Sequence, residues 1–160
     1  MSAAGKISRR ATERMRARGW RGCGQASVEL ALSLPLLLMM FLVVVETGRA
    51  FYISISVGNA ARAGVQYGAQ SLTTAADNTG MQSAASSDAP NITGMTATAS
   101  HYCICSDGSA STCLATDCAG SHRLLYTQVL TSAPYAPLIS FMGILPVMTV
   151  PGKAVMRVAQ

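Results

Sequence analysis

The chain has 160 residues, half of them apolar and only 12% charged, with a mean hydropathy of +0.33. That length holds one modest domain plus an accessory segment, and the balance is unusual for a fully soluble protein and points to a membrane. The net charge of +5 belongs to one end: residues 1–24 carry Lys6, Arg9, Arg10, Arg14, Arg16, Arg18 and Arg21 against Glu13, whereas residues 25–160 carry five cations against six acids. With no basic surface beyond the leader, no nucleic-acid partner is expected.

A basic segment directly before an apolar run follows the positive-inside pattern, which keeps it in the cytoplasm and sends everything after Val45 to the other side. Residues 1–23 lack apolar periodicity and read as a disordered leader. Cys23 lies in it, on the reducing side, apart from the other four cysteines.

Val28 to Val45 is an apolar run of 18 residues broken only by Glu29, Ser33 and Pro35. At about 1.5 Å per residue it spans roughly 27 Å, close to the hydrocarbon thickness of a bilayer. Pro35 removes a backbone donor and predicts a kink, which membrane helices tolerate. The run is long for a cleaved secretory signal, and Glu46-Thr47-Gly48-Arg49 is a poor cleavage site for one. A plain anchor would have no use for the carboxylate of Glu29 at its mouth, because an acid in lipid is costly.

The helical pattern continues past the membrane. Residues 50–70 contain no proline, and Ala60, Gly64 and Gly68 recur at four-residue spacing on one face, where small side chains let another backbone approach. Each glycine costs an exposed helix about 1 kcal/mol, so packing must offset it. The partner is either the chain's own C-terminal domain or neighbouring subunits. Together, residues 28–70 predict one long helix.

Residues 71–100 are rich in Ser, Thr, Ala, Gly and Asn and read as a polar connection, part loop and part weak strand over residues 92–99. Asn91-Ile92-Thr93 fits a glycosylation sequon, a tripeptide that often arises by chance. Residues 124–130 read as a strand, and residues 148–159 alternate more clearly, with Met148, Val150, Ala154, Met156 and Val158 facing one way. Pro151-Gly152 suggests a bulge or an edge strand there. Between these strands lies an apolar, proline-punctuated stretch, residues 134–146, too short to span a bilayer.

Cys103, Cys105, Cys113 and Cys118 lie on the extracytoplasmic side of a small domain and are most simply two disulfides. A bridge between Cys103 and Cys105 would be too tight, so each is joined to Cys113 or Cys118. Zinc is the competing reading, since His101 and His122 flank the cysteines, but Cys-x-Cys followed by Cys-x4-Cys is not a usual knuckle pair. No metal or other cofactor is expected. No nucleophile, zinc-protease or phosphate-cradling motif appears, and Asp107 and Asp117 fall among turn residues, so the chain is not expected to be an enzyme.

Gly24 followed by Glu29, with a basic leader before and an apolar helix after, resembles the type IV prepilins. The fuller string Gln25-Ala26-Ser27-Val28-Glu29-Leu30-Ala31-Leu32-Ser33-Leu34-Pro35, with Glu46-Thr47-Gly48-Arg49 and Asn59-Ala60-Ala61-Arg62-Ala63-Gly64, is more specifically similar to the TadE-like family, minor pilins or pseudopilins of tight-adherence (Tad, Flp-type) pili. The ending Ala154-Val155-Met156-Arg157 is similar too, whereas Leu30 stands where major Flp pilins carry tyrosine. The resemblance implies a prepilin peptidase that cuts between Gly24 and Gln25, and an assembly contact from Glu29 to the new amino terminus of a neighbour. It implies as partners that peptidase, the inner-membrane assembly platform, other minor and major pilins, and membrane lipid.

The expected fold is α+β: a basic leader (1–24), a transmembrane and packing helix (25–70), and a small, disulfide-linked, β-containing extracytoplasmic domain (71–160). The rival expectation is an uncleaved, single-pass, membrane-anchored binding module.

Overall fold

A computed structural model describes residues 4–114, 116–138 and 147–159, with side chains from residue 24 onward. The element order is three helices and four strands: α1 (Ala4–Gly68), α2 (Leu72–Ala76), α3 (Asn78–Asp88), β1 (Thr96–Cys105), β2 (Ala110–Ser111), β3 (Arg123–Tyr135) and β4 (Met148–Arg157). The chain divides into two compact units, Met1–Val45 and Glu46–Gln160. The expected α+β fold is present: a long apolar helix followed by a small antiparallel sheet domain with two disulfides.

In the first unit the leader departs from expectation. It is helical from Ala4 rather than disordered. The physical reason is local: no proline occurs before Pro35, and Arg, Ala, Met and Glu are strong helix formers that need no apolar stripe. The helix also continues through Pro35, with the Ser33 hydroxyl donating to the Leu30 carbonyl at 3.3 Å one turn before it. From Val28 to Val44 every large apolar side chain is between 47% and 77% exposed. Such a surface needs lipid or another helix around it. The run from Gly24 is long and apolar enough to cross a membrane.

The second unit is organised on a four-stranded antiparallel sheet, order β2-β1-β3-β4. The pleat turns alternate residues of β3 inward, burying Thr127, Val129, Thr131, Ala133 and Tyr135. Against this face lies the outer half of α1, through Val57, Ala60, Ala61 and Val65, together with Met81 and Ala85 of α3. Val65, Met81, Ala85, Ala99 and Val129 form the core cluster. Burying a side chain such as Met81 completely contributes about 2 kcal/mol.

The polar connection expected over residues 71–100 holds two helices. Ser71 caps α2 through a reciprocal box, its hydroxyl accepting the Thr74 N–H at 3.2 Å while the Thr74 hydroxyl accepts the Ser71 N–H at 2.9 Å. Asp77 caps α3 by accepting the Gly80 N–H at 2.8 Å. The apolar signal was thin, since Met81 and Ala85 alone, one turn apart, form the buried face of α3.

The strands hold with shifted ends. β1 starts at Thr96 and runs to Cys105, so the first cysteines belong to it, and β3 runs on through Pro134 to Tyr135. Pro134 is tolerated because β1 pairing has already ended at Thr96–Ser132, so β3 has only β4 beside it there. Pro151-Gly152 makes no bulge: the β3–β4 register is unbroken from Tyr126–Arg157 to Tyr135–Met148, and β4 is the edge strand. Residues 139–146 of the apolar stretch lie outside the described residues.

Candidate functional site

Three groups of residues carry chemistry beyond packing. The first is the start of the apolar run. Gly24, Gln25 and Glu29 all sit within α1 and are exposed, with Glu29 at the beginning of the lipid-length surface. Among the described residues the one ion pair is elsewhere, between Glu46 and Arg49.

The second group begins directly after the apolar run. Glu46 lies against three donors. Its Oε1 meets the Tyr135 hydroxyl and accepts the Leu138 N–H at 3.1 Å, and its Oε2 faces Arg49 Nη1 at 3.4 Å. The Tyr135 hydroxyl also lies 3.1 Å from the Glu46 carbonyl, with one proton to give between the two acceptors. Arg49 stands over the Tyr135 ring, 5.8 Å from its centre. Burial, then the Glu46 carboxylate, pushes the Tyr135 phenol above its ordinary range. The Glu46-Thr47-Gly48-Arg49 string thus ties the first turn of the outer helix half to the end of β3. Sequence reasoning quoted the string but gave it no structural role, and its partner is 89 residues away.

The outer half of α1 shows where its small residues go. A side chain on Gly64 would come within 2.9 Å of the Met81 carbonyl, and one on Gly68 within 2.3 Å of the Met81 sulfur. Ala60 is fully buried. The chain's own domain therefore occupies this face. Gly152 does the same from the sheet: an added Cβ would lie 2.5 Å from Thr131 Oγ1 and 2.7 Å from the Val57 carbonyl, the two atoms joined by a 2.8 Å hydrogen bond. Beyond the last helical turn, the Ala159 N–H donates to the Ala69 carbonyl at 3.0 Å and closes the C-terminus onto the helix end. The opposite face of α1 stays open, with Phe51 and Ile55 more than 60% exposed and no atom within 4 Å of where a Gly58 side chain would begin.

The third group is the cysteine loop. Cys103 is bonded to Cys113, and Cys105 to Cys118. Cys103 and Cys105 are alternate residues of β1, so the pleat turns both sulfurs inward and each reaches a different point of the following loop. All four sulfurs are thereby used in pairs. Asp117 organises the loop: one of its oxygens accepts the Thr112 N–H and hydroxyl at 2.7 Å each, the Ser111 hydroxyl at 3.1 Å and the Leu114 N–H at 3.2 Å. These donors, the Thr112 hydroxyl foremost, hold its carboxyl below the usual carboxylate range. Asp107 is held down likewise by the Ser109 hydroxyl and N–H. Both aspartates serve the backbone. His101 lines a small cleft of about 180 Å³ with Arg123 and the Cys103–Cys113 bridge, and the His122 N–H faces the Ser106 hydroxyl at 3.3 Å.

Comparison with known proteins bears on the first two groups. The family model described as TadE-like protein matches residues 24–66, from Gly24 into the outer half of α1. Over these residues the chain is similar to that family. The match includes Glu29, the apolar run, the Glu46–Arg49 string and the face holding Ala60 and Gly64, and it associates the chain with a Tad pilus system. The cysteine loop and the Ala154–Arg157 ending fall outside it. No curated protein and no solved structure matches the chain.

Proposed function

We propose that this chain is a minor pilin precursor of a Tad-type pilus, held in the inner membrane by residues 28–45 with its leader in the cytoplasm and its sheet domain in the periplasm. Prepilin peptidase cuts between Gly24 and Gln25, and the subunit then acts in pilus assembly or at the tip through the assembly platform and other pilins. It is a structural subunit without catalysis of its own. The observation that carries this reading is the TadE-like segment itself, which opens on Gly24 with Glu29 five residues on and an uncovered apolar helix after it.

Physical chemistry gives Glu29 its role. An ionised carboxylate at the edge of the hydrocarbon needs a cation, and the amino terminus freed on Gln25 of a neighbouring subunit supplies one. That contact is absent from the uncut chain, and cutting also removes the positively charged leader that holds the helix in place. The face of α1 carrying Ala60, Gly64 and Gly68 is occupied by the subunit's own α3 and sheet, so contacts between subunits outside the membrane use the other face, with Phe51, Ile55 and Gly58.

N-terminal sequencing of the membrane-extracted mature protein tests the reading. A start at Gln25 is expected. An intact first residue would overturn it in favour of an uncleaved, membrane-anchored binding module. Glu29→Ala is expected to insert and be processed but to leave cells without pili, and normal piliation would remove Glu29 from assembly.

A further inference from the structure

A cleft of about 360 Å³ opens beside the first turns of the outer helix half, lined by Arg49, Tyr52 and Ile53 of α1, by Asn91, Ile92 and Thr93 of the turn after α3, and by the end of β3. Two features distinguish it from the other clefts of the domain. One is depth. Arg49 follows the last residue of the apolar run by four positions, about 6 Å along a helix, and Tyr52 by seven, about 10 Å. The headgroup layer on each side of a bilayer is roughly 5–8 Å thick, so Arg49 lies within it and Tyr52 just beyond it.

The other feature is chemistry. Arg49 faces Glu46 through a single nitrogen, Nη1, at the long distance of 3.4 Å, while the other Glu46 oxygen is engaged by Tyr135 and by the Leu138 N–H at 3.1 Å. Glu46 is thus satisfied largely by other donors and neutralises Arg49 only in part. The Arg49 side chain is 38% exposed and Glu46 is its one ion-pair partner among the described residues, so the guanidinium has further donors for an acceptor in the cleft. Its planar fork fits carboxylate and phosphate, and at headgroup depth the anion it meets is phosphate. Across the cleft Asn91 and Thr93 offer an amide and a hydroxyl, and Ile53, Ile92 and Pro134 supply apolar walls.

We propose that this cleft binds the phosphate of an anionic phospholipid headgroup, with Arg49 as the charged ligand and Asn91 and Thr93 as further donors. The site orients the sheet domain on the membrane surface before the subunit leaves it. The inference rests on residues 28–45 crossing the membrane and is independent of cleavage and piliation.

The test is native mass spectrometry of the full chain in micelles, titrated with phosphatidylglycerol, phosphatidylcholine or inorganic phosphate, alongside carbonate extraction from cell membranes. Retention of phosphatidylglycerol roughly tenfold above phosphatidylcholine is expected, falling to the phosphatidylcholine level in Arg49→Gln and in the double variant Asn91→Ala, Thr93→Val. Arg62→Gln, which removes an exposed cation farther along α1, should leave retention unchanged. Intact disulfides, read as absence of free thiol beyond Cys23, establish that each variant is folded. Equal retention of the two lipids, undiminished retention in both cleft variants, or an equal loss in Arg62→Gln would overturn the site. Displacement of the lipid by millimolar inorganic phosphate would reassign it to free anions and overturn the lipid assignment. Release of the chain by carbonate would remove the membrane premise and the inference with it, whatever its state of processing.

Discussion

The two halves of α1 are both rich in apolar and small residues, yet their surroundings differ completely. From Val28 to Val44 every large apolar side chain is exposed, all the way around the helix. After Glu46 one face disappears into the sheet domain while the other, at Phe51 and Ile55, stays open. Hydrophobicity in the first half has the length and evenness that suit a membrane span, whereas in the second it is a stripe cut to fit Met81, Val129 and Val57's partner Thr131. A difference in support predicts a difference in vulnerability.

The largest separation should come from the disulfides. They close segments ten and thirteen residues apart, and each stabilises the domain by about 3 kcal/mol. A small domain has only about 5–15 kcal/mol in hand, so replacing all four cysteines by alanine is expected to unfold the sheet at ambient temperature. Membrane insertion should survive, because the run from Gly24 is by itself long and apolar enough to cross a membrane. Circular dichroism in micelles and carbonate extraction read the two outcomes; loss of insertion would mean the halves are not independent.

Next in size is Gly152→Val. The atoms its side chain would strike are the Val57 carbonyl and the Thr131 hydroxyl, and a helix backbone cannot yield as a flexible side chain can. Overpacking of this kind costs about 1–3 kcal/mol and should also break the Thr131–Val57 hydrogen bond. A urea midpoint in micelles measures it, and an unchanged midpoint would show that the sheet can move off the helix.

Acid offers a milder handle on the same contact. Asp77 is held below the usual carboxylate range first by the Gly80 N–H and then by the Tyr67 hydroxyl, which brings α1 to the start of α3. A lowered folded value means a contribution present above the ordinary aspartate range and lost as pH falls through the folded value, below about pH 4. Asn caps a helix as well as Asp, so Asp77→Asn should keep the cap and remove the titration. The variant is expected to lose less stability than the parent between pH 7 and pH 3, with Glu46, Asp107 and Asp117 contributing to the acid sensitivity that remains.

Much of this asymmetry was legible from residue order. The apolar run, the small-residue face and the two long C-terminal strands are periodic signals, and Gly24 with Glu29 is a spaced motif. The face was readable but not what it meets, because Gly64 and Gly68 fit equally well against Met81 or another subunit until Met81 is seen to be on a helix. That helix was missed because its buried face is one methionine and one alanine, leaving caps at Ser71 and Asp77 as the only strong signals. The bridge partners were illegible for a different reason: a Cys-x-Cys strand fixes the direction of the sulfurs, and only the Asp117-centred loop decides which one each meets. Glu46 was hidden by distance, since its partners Tyr135 and Leu138 come from the far end of β3 and just beyond it.

The smallest effect has the opposite sign and tests the open side. No atom lies within 4 Å of where a Gly58 side chain would begin. Gly58→Ala should therefore raise the stability of the isolated subunit by roughly 0.5–1 kcal/mol, the helix propensity difference, because nothing in the domain resists the methyl group. If Phe51, Ile55 and Gly58 face another subunit's helix, the same methyl group holds two backbones apart and pilus assembly should fall while stability rises. Measuring the denaturation midpoint and surface pili on one variant separates the two faces of α1: a rise in both would mean that the open face meets only solvent.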